Sequence, residues 1–356
     1  MSEHPYKNLP DHCFWRRSHD VESIDEIDPA VSAPFRIDEK DSVAAAGSCF
    51  AQHIARRLAD AGFNYLVTER APPGCSNPAA EDYGVFTART GNIYTVRQLL
   101  QLAQRAYGDF KPKLDAWEIP GAGFVDPFRP NIGGAPFSSL EQLRADRDAH
   151  FEAVRAMFET ADVFVFTLGL TEAWWSKDDH AVVPLAPGVL GANLPRDAYV
   201  PKNFTAMEVM EDLQQLIGLF QKVNPQVRIL LTVSPVPLVA TFEDDHVLAA
   251  TTYSKSVLRV AAGEIAKSNA HVAYFPSYEI ITGSFNRGRY FANDLRQVTS
   301  SGVDHVMKCF LRHYSSVPVH GPRPARPDDE LRAEITESMD VICDEEEISR
   351  SAERAS

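Results

Sequence analysis

Four short apolar runs, each followed by a helical pattern or a chain reversal, constrain this chain more than any other feature. They lie at 43–46, 163–168 (VFVFTL), 228–233 (RILLTV) and 271–275. Each run is continuously apolar instead of alternating. That is the signature of strands buried on both faces of a parallel sheet, with helices as the crossovers. The helical spacing is plain in Phe50, Ile54 and Leu58, which end at Gly62. A helix is expected over 140–160 behind Ser138-x-x-Glu141, read as a capping box. A second box, Thr205-x-x-Glu208, opens a face of Val209, Leu213, Leu216, Ile217 and Phe220 that stops at Asn224-Pro225. Further helices are expected at about 252–267 and 301–314. The expected fold class is α/β, a three-layer parallel sheet with helices on both faces.

A length of 356 residues with 44% hydrophobic content allows a large core. Residues 1–40 read as an arm with Tyr6, Phe14, Trp15 and Phe35 as anchors, and 41–320 as the folded body. Residues 321–356 hold five Arg against eleven Asp or Glu, so −6 of the total charge of −14 falls in what reads as a disordered acidic tail. Insertions near 107–137 and 175–204 break the rhythm of the body, and loops that long are uncommon unless functional. The acidic balance argues against a nucleic-acid partner, whose affinity comes from basic side chains on phosphates. No segment approaches the roughly 18 apolar residues of a membrane span. Five cysteines, odd in number and without a C-x-x-C pair, indicate neither a disulfide framework nor a thiolate zinc site and fit a cytoplasmic location. The histidines have no metal-ligand spacing, so no metal or other cofactor is implied.

Ligands of open parallel sheets bind at the carboxyl ends of the strands. The residues there are Gly47-Ser48-Cys49-Phe50-Ala51, Gly169-Leu170-Thr171-Glu172-Ala173-Trp174, Ser234-Pro235-Val236-Pro237 and Pro276-Ser277-Tyr278-Glu279. Ser48 stands between a strand and the first turn of a helix, where backbone N–H groups and the helix dipole favour developing negative charge. A serine nucleophile needs that place, and so does an ordinary N-cap. Gly91-Asn92 reads as a turn. Trp174, Trp175 and Tyr278 are either platforms for sugar rings or parts of the core.

The Gly47-Ser48-Cys49-Phe50-Ala51 run resembles the signature of the GSCFA domain family, with later blocks matching at 167–174 and 234–237, over about residues 40–315. That family is similar to the SGNH hydrolases. The resemblance implies a flavodoxin-like sheet and a serine that attacks esters, mostly acyl groups on carbohydrates or lipids. On that pattern Ser48 is the nucleophile and its own N–H an oxyanion donor. Gly169-x-Thr171 stands where those enzymes have Gly-x-Asn, so a hydroxyl replaces an amide. Gly91-Asn92 falls in order at the middle block. The Asp-x-x-His block departs: here it reads Asp294-Leu295-Arg296-Gln297, and Gln297 cannot take a proton. His246 is the first substitute base, followed by His305 and His53. Asp294 remains to orient a base or bind substrate, and Glu172 is a carboxylate alternative. The expected function is a serine-dependent carbohydrate esterase or O-acyltransferase, acting on an acylated saccharide or polysaccharide precursor through an acyl-Ser48 intermediate. Its alternative is a non-catalytic SGNH-like saccharide-binding module that has lost its base.

Overall fold

A computed structural model of the chain describes residues 4–75, 77–78, 81–190, 194, 197–316, 346–348 and 351. In chain order the strands are β1 (Ser42–Gly47), β2 (Asn64–Tyr65), β3 (Trp117–Ile119), β4 (Gly123–Val125), β5 (Val163–Leu168), β6 (Glu172–Ser176), β7 (Val182–Val183), β8 (Tyr199–Asn203), β9 (Arg228–Val233) and β10 (Val272–Tyr274). The α-helices are α1 (Trp15–Ser18), α2 (Cys49–Asp60), α3 (Val96–Tyr107), α4 (Leu140–Thr160), α5 (Ala206–Val223), α6 (Val247–Ser268), α7 (Ser277–Thr282) and α8 (Ser300–Tyr314). Five strands form the central sheet in the order β2-β1-β5-β9-β10, every neighbouring pair parallel. Counted along the chain this is the 2-1-3-4-5 order of a flavodoxin-like fold.

The continuous apolar runs follow from two cores. Ala44, Ala46, Phe164, Phe166, Ile229 and Leu231 point to one face, under α3, α4, α5 and α6. Val43, Ala45, Val163, Val165 and Leu230 point to the other, under α2, α7 and α8. Period-two alternation thus sends apolar residues into both layers, and neither face of a strand is left polar.

Several elements differ from the sequence reading. β2 is too short to show any periodicity. α3 was not anticipated, although Thr95 caps it by accepting the Gln98 N–H and Gly108 ends it at φ 83°. α4 is capped by Ser139, whose side chain accepts the Gln142 N–H, instead of by the expected Ser138 box. α6 starts five residues earlier than expected because His246 is its N-cap. The Thr205–Glu208 box is present with both reciprocal bonds.

The insertion at 107–137 holds the β3–β4 hairpin, and that at 175–204 builds, with β6, the antiparallel sheet β7-β6-β8. Buried ion pairs fasten the first insertion to the body. Arg129 bonds Asp146 at 2.7 Å and lies 3.4 Å from Asp126, while Arg147 reaches Asp126 at 3.1 Å and Asp115 at 3.0 Å. Arg89 extends the cluster to Asp146 at 2.9 Å, and Glu69 lies 2.6 Å from His150 Nδ1. Burial pushes the Glu69 carboxyl up, but His150 and Arg129 outweigh it and hold it down at about 2. The expected arm lies along α8, with Ile37 beside Ser315 and Asp28 paired to Arg312 and His313. The acidic-tail reading falls almost wholly outside the described residues; of them, Glu346 lies 3.8 Å from Arg296.

Candidate active site

The order of the sheet reverses at β1 and β5, which opens a crevice outside their carboxyl ends. Ser48 stands at its rim. The residue before it must be glycine: Gly47 has φ 145°, and a Cβ there would lie 2.4 Å from the Thr167 carbonyl oxygen. This close approach throws the chain from strand directly into α2. Ser48 occupies the N-cap position, yet its side chain makes no capping bond. The residue is 3% exposed, and its Oγ has no hydrogen-bond partner among the described residues. A buried hydroxyl left unpaired costs about 1–3 kcal/mol.

Gly169 faces it across the crevice. A Cβ on Gly169 would lie 3.0 Å from Ser48 Cβ and 3.1 Å from the Tyr94 oxygen, so a side chain there would crowd the serine. The segment before α3 wedges between the two strand ends. Ile93 N–H donates to Gly47 O at 2.8 Å, and Tyr94 O accepts from Gly169 N at 3.0 Å and Leu170 N at 2.8 Å. From the far side, α6 grips the same turn: Lys255 Nζ donates to Gly169 O at 2.6 Å, and Ser254 Oγ accepts from Thr171 N at 3.0 Å.

These bonds use up backbone donors. Ser48 N–H, the expected oxyanion donor, is engaged by Thr167 O at 3.2 Å, and the N–H groups of residues 169, 170 and 171 are all committed. What remains unbonded are hydroxyls. Thr171 Oγ1 and Thr167 Oγ1 are, like Ser48 Oγ, buried without partners among the described residues. The site is a cluster of unspent hydroxyls held by a rigid backbone.

The other expected residues lie around this centre in different states. Gly91-Asn92 is a turn, with Gly91 at φ 65°, and is also tied to the serine helix: Gln52 Nε2 donates to Asn92 Oδ1 at 3.1 Å. Glu172 accepts from Thr241 Oγ1 at 2.7 Å and from Phe242 N at 3.4 Å, and burial pushes its carboxyl up. It therefore anchors the loop that follows β9. Trp174 packs edge-on to Phe242 of that loop, with ring centroids 5.8 Å apart. Asp294 Oδ1 accepts from Arg296 N and Gln297 N, both at 3.0 Å, and so braces its own turn, where Leu295 sits at φ 56°. The turn aims Arg296 Nε at Pro237 O, 3.3 Å away.

None of the histidines considered as a base is hydrogen-bonded to Ser48. His246 is exposed, and its Nδ1 accepts the Leu248 N–H at 3.1 Å. A neutral ring in that state carries its proton on Nε2 and has no free lone pair to offer. His305 is buried between Tyr290 Oη and Ile27 O, both 2.8 Å away, where it fixes the arm to α8. His53 packs on Phe50, and burial, then Arg56 and Arg57, lower it to about 4. Sequence reasoning missed Lys255, Ser254 and Tyr94. A lysine inside an apolar helical face was the available signal.

The GSCFA family profile matches residues 42–310, from the start of β1 into α8. The chain belongs to the GSCFA family. In this GSCFA protein the match takes in Ser48, the 169–171 turn, Lys255 and the 294–297 turn. Among solved structures, a family 3 carbohydrate esterase from Clostridium thermocellum is 12% identical, over 83% of this chain and 98% of that one, with a TM-score of 0.32. An acetyl esterase mutant with an acetate ion is 9% identical, over 85% of this chain and all of that one, with a TM-score of 0.33. No curated protein matches the sequence. No helix among the described residues is long and apolar enough to cross a membrane.

Proposed function

We propose that this GSCFA protein is a serine-dependent acyl-ester enzyme, a carbohydrate esterase or O-acyltransferase acting on an acylated saccharide or polysaccharide precursor. The observation that carries the reading is the Ser48 hydroxyl: buried at the switch point of the sheet, in a cap position where it caps nothing. Folding retains an unpaired polar group at such a place when another molecule completes it. Ser48 Oγ attacks the acyl carbonyl carbon, and the proton it loses passes through solvent water to the sugar oxygen that departs. The carbonyl oxygen takes the electron pair and is met by the Thr171 hydroxyl in place of the expected backbone donor. The sugar oxygen leaves with a proton, and acyl-Ser48 is released to water or to an acceptor hydroxyl. The cytoplasmic reading is supported by the thiols, since Cys13, Cys49, Cys75 and Cys309 form no disulfide among the described residues.

One observation favours a second reading, a saccharide-binding module without turnover: among the described residues no imidazole or carboxylate is bonded to Ser48 Oγ. Turnover of 4-nitrophenyl acetate and acetylated xylo-oligosaccharides by wild type and Ser48→Ala separates the two. The enzyme reading expects kcat/KM to fall about a thousandfold or more in the variant. Glycan binding with no ester turnover by wild type decides for the module.

A further inference from the structure

We propose that Lys255 is a positioning residue for the Ser48 reaction: it pins the 169–171 turn and sets a positive charge behind it. The inference rests on the reading of Ser48 as nucleophile. Lys255 is 1% exposed, deep within the apolar face of α6. Its Nζ meets Gly169 O at 2.6 Å, the short distance of a charge-assisted hydrogen bond. Gly169 is the residue that abuts Ser48, with no room for a side chain between them. The neighbouring Ser254 holds Thr171 N at 3.0 Å. Two consecutive residues of one helix therefore grip the first and last residues of the turn, and the grip leaves the Thr171 hydroxyl unbonded.

A buried ammonium is costly to desolvate, and a methionine of similar length fills the same space without that cost. What methionine lacks is the charge. In a dry site, a fixed cation close to the turn stabilises the negative charge that develops when Ser48 attacks. Packing alone does not explain a lysine here, and its contact with Gly169 O sets the charge behind the residue that abuts Ser48.

The test uses the full-length chain and compares wild type with Lys255→Met in two measurements: the second-order rate of fluorophosphonate labelling at Ser48, and the urea midpoint. The expected result is labelling slowed by about thirtyfold or more, with a midpoint equal to or above that of wild type. With 4-nitrophenyl acetate, the loss is expected in kcat and not in KM. Labelling within about twofold of wild type overturns the proposal. So does a lowered midpoint with labelling reduced only in proportion to the folded fraction. If Lys255→Met does not fold, Lys255→Gln, which keeps a donor without the charge, takes its place under the same criteria, and failure of both to fold overturns the proposal. An unlabelled wild type refutes the nucleophile assignment itself, which distinguishes that failure from this one.

Discussion

Replacing Ser48 with alanine is expected to stabilise this protein, although Ser48 occupies a helix N-cap. A serine that caps a helix stabilises it through a bond from its Oγ to the N–H of the second or third residue, and its loss to alanine costs about 0.5–2 kcal/mol. That bond is absent here, so its loss costs nothing. The Ser48 hydroxyl is instead buried without a partner among the described residues, and removing such a group recovers part of a penalty of about 1–3 kcal/mol. Only one atom is deleted, so the void left behind is small. The balance is a gain of about 1–2 kcal/mol. Unfolding entropy of about 2.1 cal/mol/K per residue over 356 residues converts that gain to a rise in Tm of about 1–3 °C. Urea midpoints at equal slope, checked by calorimetry, measure it. A Ser48→Ala protein less stable than wild type by about 1 kcal/mol would refute the reasoning, because the hydroxyl would then be an ordinary cap.

Thr171→Val replaces a second hydroxyl that is unpaired among the described residues with a methyl group and is expected to raise the urea midpoint, as Ser48→Ala does, while lowering ester turnover about a hundredfold, the usual effect of losing one oxyanion donor; unchanged turnover would remove Thr171 from the mechanism. His53 is held at about 4 in the folded protein against about 6.5 when unfolded, so its contribution to stability is complete above pH 6.5 and is lost as pH falls toward 4. Between pH 7 and 4.5 wild type is therefore expected to lose up to about 2 kcal/mol more than His53→Leu, read from urea midpoints across pH; parallel pH profiles would contradict this. Arg129→Ala removes the guanidinium shared by Asp126 and Asp146, leaving Arg147 on the first and Arg89 on the second, and is expected to cost about 1–3 kcal/mol in the same assay. A loss under 1 kcal/mol would mean that the insertion is held by other contacts.

The strands were legible because parallel strands buried on both faces cannot hide: 163–168 and 228–233 have no polar face to blur them. Ser48 was legible for the same reason, as the residue at which the first strand gives way to a helical pattern. β2, with two residues, carries no period. The ionic cluster around Arg129 was not legible, because its members come from residues 69 to 147 and only the fold brings them together. His246 misled because its position past β9 is right for a base, yet position does not reveal that its Nδ1 is spent on capping α6. Lys255 went unread because helical periodicity treats a lysine as solvent-facing. Its value lies in a contact with Gly169, 86 residues away in sequence.

Whether Ser48 is a nucleophile is decided most directly by intact-mass and peptide analysis after exposure to a fluorophosphonate probe. A single adduct mapped to Ser48, absent from Ser48→Ala, is the predicted result. A wild-type protein that stays unlabelled while folded, or an adduct on another residue, would contradict the account.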